Sequence, residues 1–581
     1  MSSRLRISLG IAVSALLLVV AVMMPTAWYD ALPRRSGLPP CIVRGTTLLR
    51  VMLGVQALIV AVVVLRGWRW IPIPANARAF DFSLRAEPND LAVSHARVGV
   101  CLITVLALAL RVYHIDSDLW LDELFTLTEY ARRPLAEIIG SYRTSNNHLL
   151  ISLLMKASIA AFGEHEWTVR LAVVALGTAS IPAVYQVTRL VMSRRSSMGA
   201  ALLLAVSYHH VFFSQNARGY VVYVLFALIG TRALLDALRD DRAAQWVRYG
   251  AATVLGFLAL LNTMFVVAAQ LVVVAIVVLR LHRRRVPVGP LVRRATGAFA
   301  VIGFLCIEAY AVALPEVYAV ITTDYTKQGT GFSPTSSELL FDLIRGVTDG
   351  FGMQVWIAAV PFLALAAGGL FVLWRRQWAV TALLLLPGVL TAALLASLGM
   401  TFTPRYFLLW LPLAAMTAVL TIDATTQRLR TWSPRRRQSL ASTIVAALAV
   451  VSALSLRRYY VVPKQPYVAT LRYVERVRRP DHLVVAIHHA RTGIQYYGAR
   501  RNVALANNYA FVDTESGLDS ALALRAGRRV LLITTLERVL AHNLPRLKTR
   551  VTDGWQRDTT FAATIGGGQL SVWSEKLPRV R

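Results

Sequence analysis

The sequence predicts an α-helical protein that crosses a membrane many times and ends in a small α/β domain. Hydrophobic residues make up 56% of the 581-residue chain and charged residues only 16%, and the mean hydropathy is +0.53. This composition is typical of membrane proteins rather than of soluble multidomain proteins. Long apolar stretches recur as far as residue 456, whereas the rest of the chain carries short strand-like runs.

Apolar stretches of the length needed to cross a bilayer, about 20 residues, predict the membrane helices. We expect thirteen of them, near residues 7–24, 46–66, 93–111, 168–190, 197–213, 217–236, 248–263, 264–281, 297–314, 355–374, 378–397, 406–424 and 439–456. The first stretch is also compatible with a cleaved signal peptide, which would leave the orientation of the remaining helices unchanged.

Basic residues predict the orientation, because cytoplasmic loops carry the excess of Lys and Arg. With the N-terminus inside, the basic runs fall in inside loops, whereas the first outside loop, with Arg34, Arg35 and Arg44, is an exception. The apolar segment 148–162 would invert the later loops if it crossed, so we expect it to lie in the membrane interface. The inside runs are Arg66 to Arg85, Arg194 with Arg195, Arg239 to Arg248, Arg280 to Arg294, Arg375 with Arg376, and Arg428 to Arg437.

Three regions follow from this topology. Residues 1–90 hold two membrane helices and a cytoplasmic loop, and residues 91–456 form a membrane core with extracytoplasmic loops at 112–167 and 315–354. Residues 457–581 are predicted to form an extracytoplasmic α/β domain, with strands in 482–489, 528–535 and 568–575.

The composition disfavours a disulfide framework, a zinc site and nucleic-acid binding. Cys41, Cys101 and Cys306 are scattered without metal-ligand spacing, so neither a disulfide framework nor a zinc site is indicated. The net charge of +31 is the excess of 62 basic over 31 acidic residues, but the basic residues lie in short runs between apolar spans rather than on one soluble face, which disfavours nucleic acid as a partner.

A cluster of acids follows the predicted helix at 93–111 in an otherwise basic chain. Asp116, Asp118, Asp122, Glu123 and Glu129 lie within fourteen residues, at the expected outer membrane surface. Because charges at a membrane edge are costly, they indicate function, and a carboxylate there can accept a proton from an incoming hydroxyl. Adjacent side chains such as Asp122 and Glu123 point in different directions. The alternative is a solvated loop face or a set of helix caps.

Polar residues before the interfacial segment are a second candidate site. Asn146, Asn147 and His148 could hydrogen-bond sugar hydroxyls or ligate a metal ion. The alternative is a helix cap.

Two isolated arginines lie where a predicted span meets the outer surface. Arg218 with Tyr220, and Arg405 with Tyr406 after the chain-breaking Pro404, are suited to grip a phosphate group. Anchors that reach to lipid headgroups are the alternative. Two such arginines on the outer face indicate an anionic lipid ligand.

Two further segments have polar groups that suit a ligand. Asp324, Tyr325 and Lys327, in the long loop 315–354, could form a lid, or the loop could simply pack on the tail. In the tail, HHARTGIQYYG at 488–498 suits sugar contacts, but a role in the fold is the alternative.

The order of five short motifs resembles that of a known enzyme family. LWLDE at 119–123 is followed by NHLL at 147–150, FGEHEWTVRLA at 162–172, SQNARGY at 214–220 and PRYF at 404–407. Across roughly residues 93–456 the chain resembles the GT-C membrane glycosyltransferases of family 39, the group that includes ArnT-like enzymes and protein O-mannosyltransferases.

The resemblance implies transfer of a sugar from a polyprenyl-phosphate carrier to an acceptor hydroxyl, with inversion, on the extracytoplasmic face. It implies that Asp122 is the catalytic base and that Glu123 belongs to the same catalytic motif. It implies substrate-binding roles for Arg218, Tyr220, Arg405 and Tyr406, with both arginines facing the carrier phosphate. The acceptor would be a glycan, a lipid or a protein.

Several points stay open at the level of sequence. Where many relatives have His-Pro-Pro, this chain has Asn147, His148 and Leu149, so the local helix start is expected to differ. Some relatives bind a divalent metal ion and others need none, so no cofactor is assigned. A transporter or flippase of lipid-linked sugars, or a non-catalytic cell-envelope assembly protein, remains the alternative function. The composition suggests a multi-pass protein of a bacterial plasma membrane, in contact with membrane lipids.

Overall fold

The chain folds into a helical membrane core that carries a sheet-containing domain at its C-terminal end. The computed structural model describes residues 3–23, 41–66, 90–144, 146–323, 339, 355–398, 402–479, 482–523 and 527–576. The predicted lid residues Asp324, Tyr325 and Lys327 lie outside these ranges.

The helices of the core follow the predicted apolar stretches closely. They are α1 (Ser3–Met23), α2 (Cys41–Arg66), α3 (Val93–Val112), α4 (Leu121–Thr126), α5 (Leu135–Gly140), α6 (Leu149–Phe162), α7 (Glu166–Thr188), α8 (Arg194–Ala205), α9 (Tyr208–Ser214), α10 (Tyr220–Asp240), α11 (Ala243–Ala259), α12 (Thr263–Arg283), α13 (Gly289–Tyr310), α14 (Leu314–Thr323), α15 (Val355–Ser397), α16 (Trp410–Gln427) and α17 (Pro434–Val461).

The predicted count of membrane crossings is not confirmed. Among the described residues, eight helices are long and apolar enough to cross a membrane, or nine if α8 and α9 form one bent span. The multi-pass architecture is thus confirmed, but the count of thirteen is not. Helix α10 lies at the centre of the core, since 83% of the residues in its apolar 18-residue stretch are buried. The corresponding value for α2 is 6%.

The predicted span at 197–213 is not a single straight helix, because the chain bends by 61° between α8 and α9. A break exposes backbone carbonyls that a membrane cannot hydrate. Here Arg111 donates to the carbonyl of Ala205 and Ser452 donates to that of Val206, at 3.1 and 2.9 Å. Partners distant in sequence therefore stabilise a break that local hydropathy does not reveal.

Three other predicted boundaries shift for local reasons. The stretch at 355–397 is broken at Gln377, which has φ −152° and ψ 84°, so the two predicted spans are joined at a kink. The stretch at 406–424 becomes regular helix only at Trp410, after a 3₁₀ turn over Pro404–Phe407. The stretch at 248–263 ends as a helix at Ala259.

The tail contains the predicted α/β fold. Its strands are β1 (Leu483–Ile487), β2 (Tyr509–Val512), β3 (Val530–Thr535), β4 (Trp555–Phe561) and β5 (Leu570–Glu575), in the sheet order β2-β1-β3-β5-β4. Strand β1 is parallel to β2 and β3, and β5 is antiparallel to β3 and β4. The three predicted strands are correct. Strand β4 was not predicted because its polar residues are mostly exposed and show no apolar alternation.

The tail helices flank this sheet. They are α18 (Tyr467–Val477), α19 (Ala490–Arg500), α20 (Leu505–Asn508), α21 (Glu515–Ala523), α22 (Glu537–Asn543) and α23 (Pro545–Gly554). Helices α18 and α19 pack against the loop that carries the acidic cluster, where Leu119, Leu124 and Leu127 share one buried apolar cluster with Tyr467 and Ile494. The tail thereby forms one wall of the region around Asp122.

Candidate active site

Helix α4 presents its two adjacent acids to different surroundings. The side chain of Glu123 is fully buried, whereas that of Asp122 is 19% exposed. Leu121 and Leu124 flank the pair and are buried, so the helix cannot rotate to exchange the two acids without exposing apolar surface.

Glu123 is the centre of a buried ionic cluster. Its carboxylate accepts hydrogen bonds from Arg170 at 2.7 and 2.9 Å and from the backbone N–H of Ala217 at 2.9 Å. Lys464 Nζ lies 3.7 Å away. Burial by itself raises the pKa of this carboxyl, but the charges of Arg170 and Lys464 and the hydrogen bonds outweigh burial and lower the pKa to about 2. Glu123 is therefore ionised and fully partnered.

Arg170 extends this cluster into the acidic loop. Besides Glu123, its guanidinium donates to the carbonyls of Ile115 and Ser117, both at 2.7 Å, and to that of Asp118 at 3.1 Å. Since a buried guanidinium holds its donors in a rigid fork, Arg170 fixes the path of the chain into α4. The sequence motif 162–172 contains this residue, but its role was not predicted. The sequence feature that could have indicated this role is a lone arginine near the start of an apolar helix.

Asp122 lies between the two predicted phosphate-binding arginines. Its Oδ2 atom is 3.2 Å from Arg218 Nη1 and 3.4 Å from Arg405 Nη1. Tyr220 lies beside both guanidinium groups, whose Cζ atoms are 5.6 and 5.9 Å from its ring centre. The structure thus brings together Asp122, Arg218, Tyr220 and Arg405 from three distant parts of the chain.

The two arginines differ in how firmly they are held. The side chain of Arg218 is only 4% exposed and donates to Asn146 Oδ1 and, at 3.5 Å, to the Tyr220 hydroxyl. That of Arg405 is 28% exposed, and its Cζ lies 5.8 Å from the ring centre of Tyr406. Arg218 is thus preorganised, whereas Arg405 keeps access to solvent.

Asn147 lies behind the site. Its amide donates to the carbonyls of Ile138 and Ser141, both at 2.9 Å, and its Oδ1 accepts from Ser152 at 2.9 Å. With these bonds the side chain is buried and occupied in joining α5 to α6. The sequence suggested a sugar contact for Asn147, but the amide of this side chain is not accessible to a ligand.

His148 is buried next to the start of α10. Its Nδ1 lies 3.1 Å from the carbonyl oxygen of Ala259 and its ring contacts Tyr220 edge-on at 5.6 Å, while its Nε2 atom has no protein partner among the described residues. Burial, helped by the charge of Arg218, holds the pKa of His148 well below its usual range. The imidazole is therefore neutral and supports Tyr220.

Gly219 makes the close approach of these residues possible. A Cβ atom at this position would overlap the carbonyl oxygen of Ala259 and would lie 3.0 Å from His148 Nδ1. The φ of Gly219 is −70°, so close packing rather than backbone conformation excludes larger residues here. The glycine lets Arg218 and Tyr220 lie directly against α6 and α11.

Residues from the tail complete the support of α4. The backbone N–H of Leu121 donates to Gln465 Oε1 at 2.7 Å, and that of Leu119 donates to the Tyr497 hydroxyl at 2.6 Å. Lys464 donates to the carbonyl of Gln215 and is buried; burial, together with the charge of Arg170, lowers its pKa to about 7. Lys464 and Gln465 were not predicted, because nothing in their local sequence distinguishes them.

The residues present do not fit a divalent metal ion. In the described part of the chain, no group of three or more His, Cys, Asp and Glu side chains is arranged to hold one. The neighbours of Asp122 are two guanidinium groups, which repel a cation.

Comparison with known proteins agrees with this architecture. Residues 147–316 match the family described as dolichyl-phosphate-mannose-protein mannosyltransferase, a segment that includes Arg218 but neither Asp122 nor Arg405. Comparison with curated proteins gives no significant match.

Solved structures resemble this chain at low sequence identity. ArnT from Cupriavidus metallidurans bound to undecaprenyl phosphate is 12% identical, with a TM-score of 0.50 over 83% of this chain and 98% of that one. The archaeal oligosaccharyltransferase AglB from Archaeoglobus fulgidus, in complex with an inhibitory peptide and a dolichol-phosphate, is also 12% identical, with a TM-score of 0.44 over 84% and 75% of the two chains. This multi-pass membrane protein thus shares the fold of ArnT, and residues 147–316 match the mannosyltransferase family named above.

Proposed function

We propose that the protein is a glycosyltransferase that moves a sugar from a polyprenyl-phosphate carrier to an acceptor hydroxyl. The single observation that carries the proposal is the carboxylate of Asp122, partly exposed and flanked by Arg218 at 3.2 Å and Arg405 at 3.4 Å. This places a proton acceptor next to two cations that suit a phosphate. ArnT, which shares the fold, is bound to undecaprenyl phosphate, in agreement with a carrier of this class.

Each group has a separate role in the proposed reaction. Asp122 takes the proton of the acceptor hydroxyl as its oxygen attacks the anomeric carbon. The bond between that carbon and the phosphate oxygen breaks, and the carrier phosphate leaves with the electron pair. Arg218 and Arg405 stabilise the negative charge that develops on it. Attack on the face opposite the leaving phosphate gives inversion at the anomeric carbon.

The remaining residues are positioning residues in this proposal. Glu123, paired with Arg170, holds α4 in place, and Asn147 and His148 support the wall behind Arg218 and Tyr220. A flippase would need the same arginines but no proton acceptor. The partly exposed carboxylate of Asp122 between the two cations therefore favours transfer over transport.

The site is proposed to face the extracytoplasmic side. Basic residues predicted to be cytoplasmic gather at another part of the core, where Arg194 contacts Asp90 and Arg376 donates to the carbonyl of Val191. Arg218, Arg405 and the tail all lie at Asp122. This segregation of the basic runs supports the orientation expected from the positive-inside rule.

Replacement of the proposed base tests the function. Asp122→Asn keeps the shape of the side chain but removes the proton acceptor, so transfer of radiolabelled sugar from polyprenyl-phosphate donors should fall by about 10²- to 10⁴-fold. Binding of polyprenyl phosphate should be retained. The anomeric configuration of the wild-type product, read by NMR, tests inversion.

Asp116→Asn is the matched control, since it removes an exposed carboxylate from the same loop and should leave transfer unchanged. Full transfer by Asp122→Asn would remove Asp122 from the role of base. No transfer by the wild type from any donor would reject the glycosyltransferase proposal.

A further inference from the structure

A cleft of about 740 Å³ lies between the acidic loop and the tail. Its volume falls within the range of about 300–1,000 Å³ that is usual for ligand sites. One wall is a helical stripe that follows Asp122, with residues at spacings of three and four. The other wall is the facing stripe of α19. The first stripe consists of Phe125, Thr128, Glu129 and Arg132, and the second includes Thr492, Gln495, Tyr496 and Ala499.

The topology of the tail sheet places a crevice at this cleft. The chain passes from β1 to β2 on one side and then to β3 on the other side of β1. In parallel sheets, ligands bind outside the carboxyl ends of the strands where the order switches in this way. His488 and His489 follow the carboxyl end of β1, Asp513 follows that of β2, and all three line the cleft.

One end of the cleft adjoins Asp122. Phe125 lies one helical turn after Asp122 and therefore on the same side of the chain. His489 also lies close enough to respond to the Asp122 charge: burial and His488 lower its pKa to about 4, and Asp122 opposes this shift. The cleft thus opens near the proposed base, while Asp122, Arg218 and Arg405 lie outside its lining.

The charged groups of the cleft are already paired with one another or with near neighbours. Arg132 donates to both carboxylate oxygens of Glu164, at 2.7 and 2.9 Å, and Arg491 donates to Asp513 at 2.6 Å. Arg500 lies 3.7 Å from the Glu164 carboxylate. An anionic ligand would have to displace these carboxylates, so the paired charges disfavour one.

Neutral hydrogen-bonding groups and an aromatic ring also line the cleft, where Thr128 donates to the carbonyl of Leu124 at 2.9 Å and Gln495 Oε1 accepts from Arg491 at 3.4 Å. Thr128, Thr492 and Gln495 are half-buried in the cleft walls, as is Phe125. His488 Nε2 is buried without a protein partner among the described residues, and His488 adopts a left-handed backbone conformation with φ 51°. Such backbone strain is concentrated at functional sites. A few neutral polar groups beside an apolar ring match the hydroxyls and C–H faces of a sugar.

We propose that this cleft is the acceptor site and that it binds a neutral carbohydrate chain, with the reacting hydroxyl at the end next to Asp122. The role of the cleft as acceptor site rests on the proposed glycosyltransferase function. The binding of a neutral glycan follows from the cleft alone and can be measured without any donor.

Saturation-transfer NMR on the full-length protein in lipid nanodiscs tests the proposal. The probes are neutral tetrasaccharides of mannose, glucose, galactose and arabinose, together with tetragalacturonate and an octapeptide containing Ser and Thr. We expect saturation transfer to at least one neutral tetrasaccharide, and at least a 5-fold loss of it in the Phe125→Ala/Gln495→Ala variant. Gln556→Ala, at an exposed position on β4, is the matched control and should bind as the wild type does.

A second measurement distinguishes a variant that has misfolded from one that has lost only its ligand contact. The Phe125→Ala/Gln495→Ala variant should bind polyprenyl phosphate with wild-type affinity, and its KM for acceptor should rise at least 5-fold with kcat largely kept. The proposal is overturned if no neutral tetrasaccharide binds, if binding is unchanged in the variant, or if the anionic or peptide probe binds instead. Glycan binding with no transfer from any donor would overturn the acceptor role together with the proposed function. Transfer with an unchanged acceptor KM in the variant would overturn only the assignment of the cleft as the acceptor site.

Discussion

Asp122 and Glu123 have nearly the same intrinsic chemistry, and their surroundings separate their roles. Glu123 has lost its water and is held by Arg170, Lys464 and a backbone N–H, whereas Asp122 keeps partial access to solvent. Removal of one partner from a buried ion pair leaves the other charge uncompensated, which costs about 3–5 kcal/mol. The effect of a substitution should therefore differ sharply between these neighbours.

Glu123→Gln should destabilise the protein by about 3–5 kcal/mol, because Arg170 cannot lose its proton and stays buried without a counter-charge. The folded-state pKa of Glu123 is about 2, below its ordinary value of about 4.3. Its stabilisation is therefore complete above about pH 5 and is lost as the pH falls towards 2. Thermal unfolding in detergent micelles from pH 7 to pH 3 should show a steeper acid loss of stability for the wild type than for the variant.

Glu129→Gln is the matched control at the residue scale. Glu129 is half-buried and its arginine neighbours lie 3.8 and 4.0 Å away, so its removal should change stability by less than about 1 kcal/mol. Equal unfolding temperatures for Glu123→Gln and the wild type at neutral pH would contradict a structural role for Glu123.

At the scale of elements, the start of α10 depends on the absence of one side chain. Gly219 allows α10 to approach Ala259 at the end of α11, and the adjacent residues Arg218 and Tyr220 then reach Asp122. A backbone carbonyl cannot move aside as a flexible side chain can. The position of Arg218, the proposed phosphate-binding arginine, is therefore set by a helix contact rather than by its own neighbours alone.

Gly219→Ala should displace the start of α10 and lower transfer by at least about 10²-fold, as expected when a catalytic group moves by about 1 Å. Transfer and polyprenyl-phosphate affinity should be measured together, and both should fall. In Gly303→Ala, the matched control, the added Cβ meets no atom within 4 Å, so wild-type activity is expected. Unchanged phosphate affinity in Gly219→Ala would show that α10 is not held as described.

At the scale of the whole molecule, the tail is part of the site rather than an appendage. Gln465 and Tyr497 accept hydrogen bonds from backbone groups of the acidic loop, and Leu124 is buried in the apolar cluster shared with the tail. Without the tail, these N–H groups and apolar side chains would lose their partners. The orientation of Asp122 would no longer be fixed.

A chain ending at residue 462 should lose transfer, and its segment 112–134 should become sensitive to limited proteolysis. Gln465→Ala should have a milder effect on the full chain, since one unsatisfied buried N–H costs about 1–3 kcal/mol. Gln556→Ala, on the exposed face of β4, should behave as the wild type does. Wild-type transfer by the truncated chain would refute the role of the tail in holding Asp122.

The sequence alone predicted the multi-pass helical architecture and the candidate residues of the site. Apolar length predicted the helices, and strand-like runs predicted β1, β3 and β5, because both signals are local. The energetic cost of a charge at the membrane surface singled out Asp122, Arg218 and Arg405 as candidates. The bend between α8 and α9 was missed because its stabilising partners, Arg111 and Ser452, are distant in sequence.

Only the tertiary structure decided what each candidate does. Local periodicity indicates that Asp122 and Glu123 diverge, but one partner of Glu123 lies 47 residues away in sequence and one partner of Asp122 lies 283 residues away. Lys464 and Gln465 likewise acquire their roles through contacts across the core and tail. The sequence by itself determined a helical membrane protein with an acidic loop between basic runs, because length, hydropathy and charge are properties of short segments. Which acid is buried, which is exposed and where the cleft opens depend on the packing of distant elements.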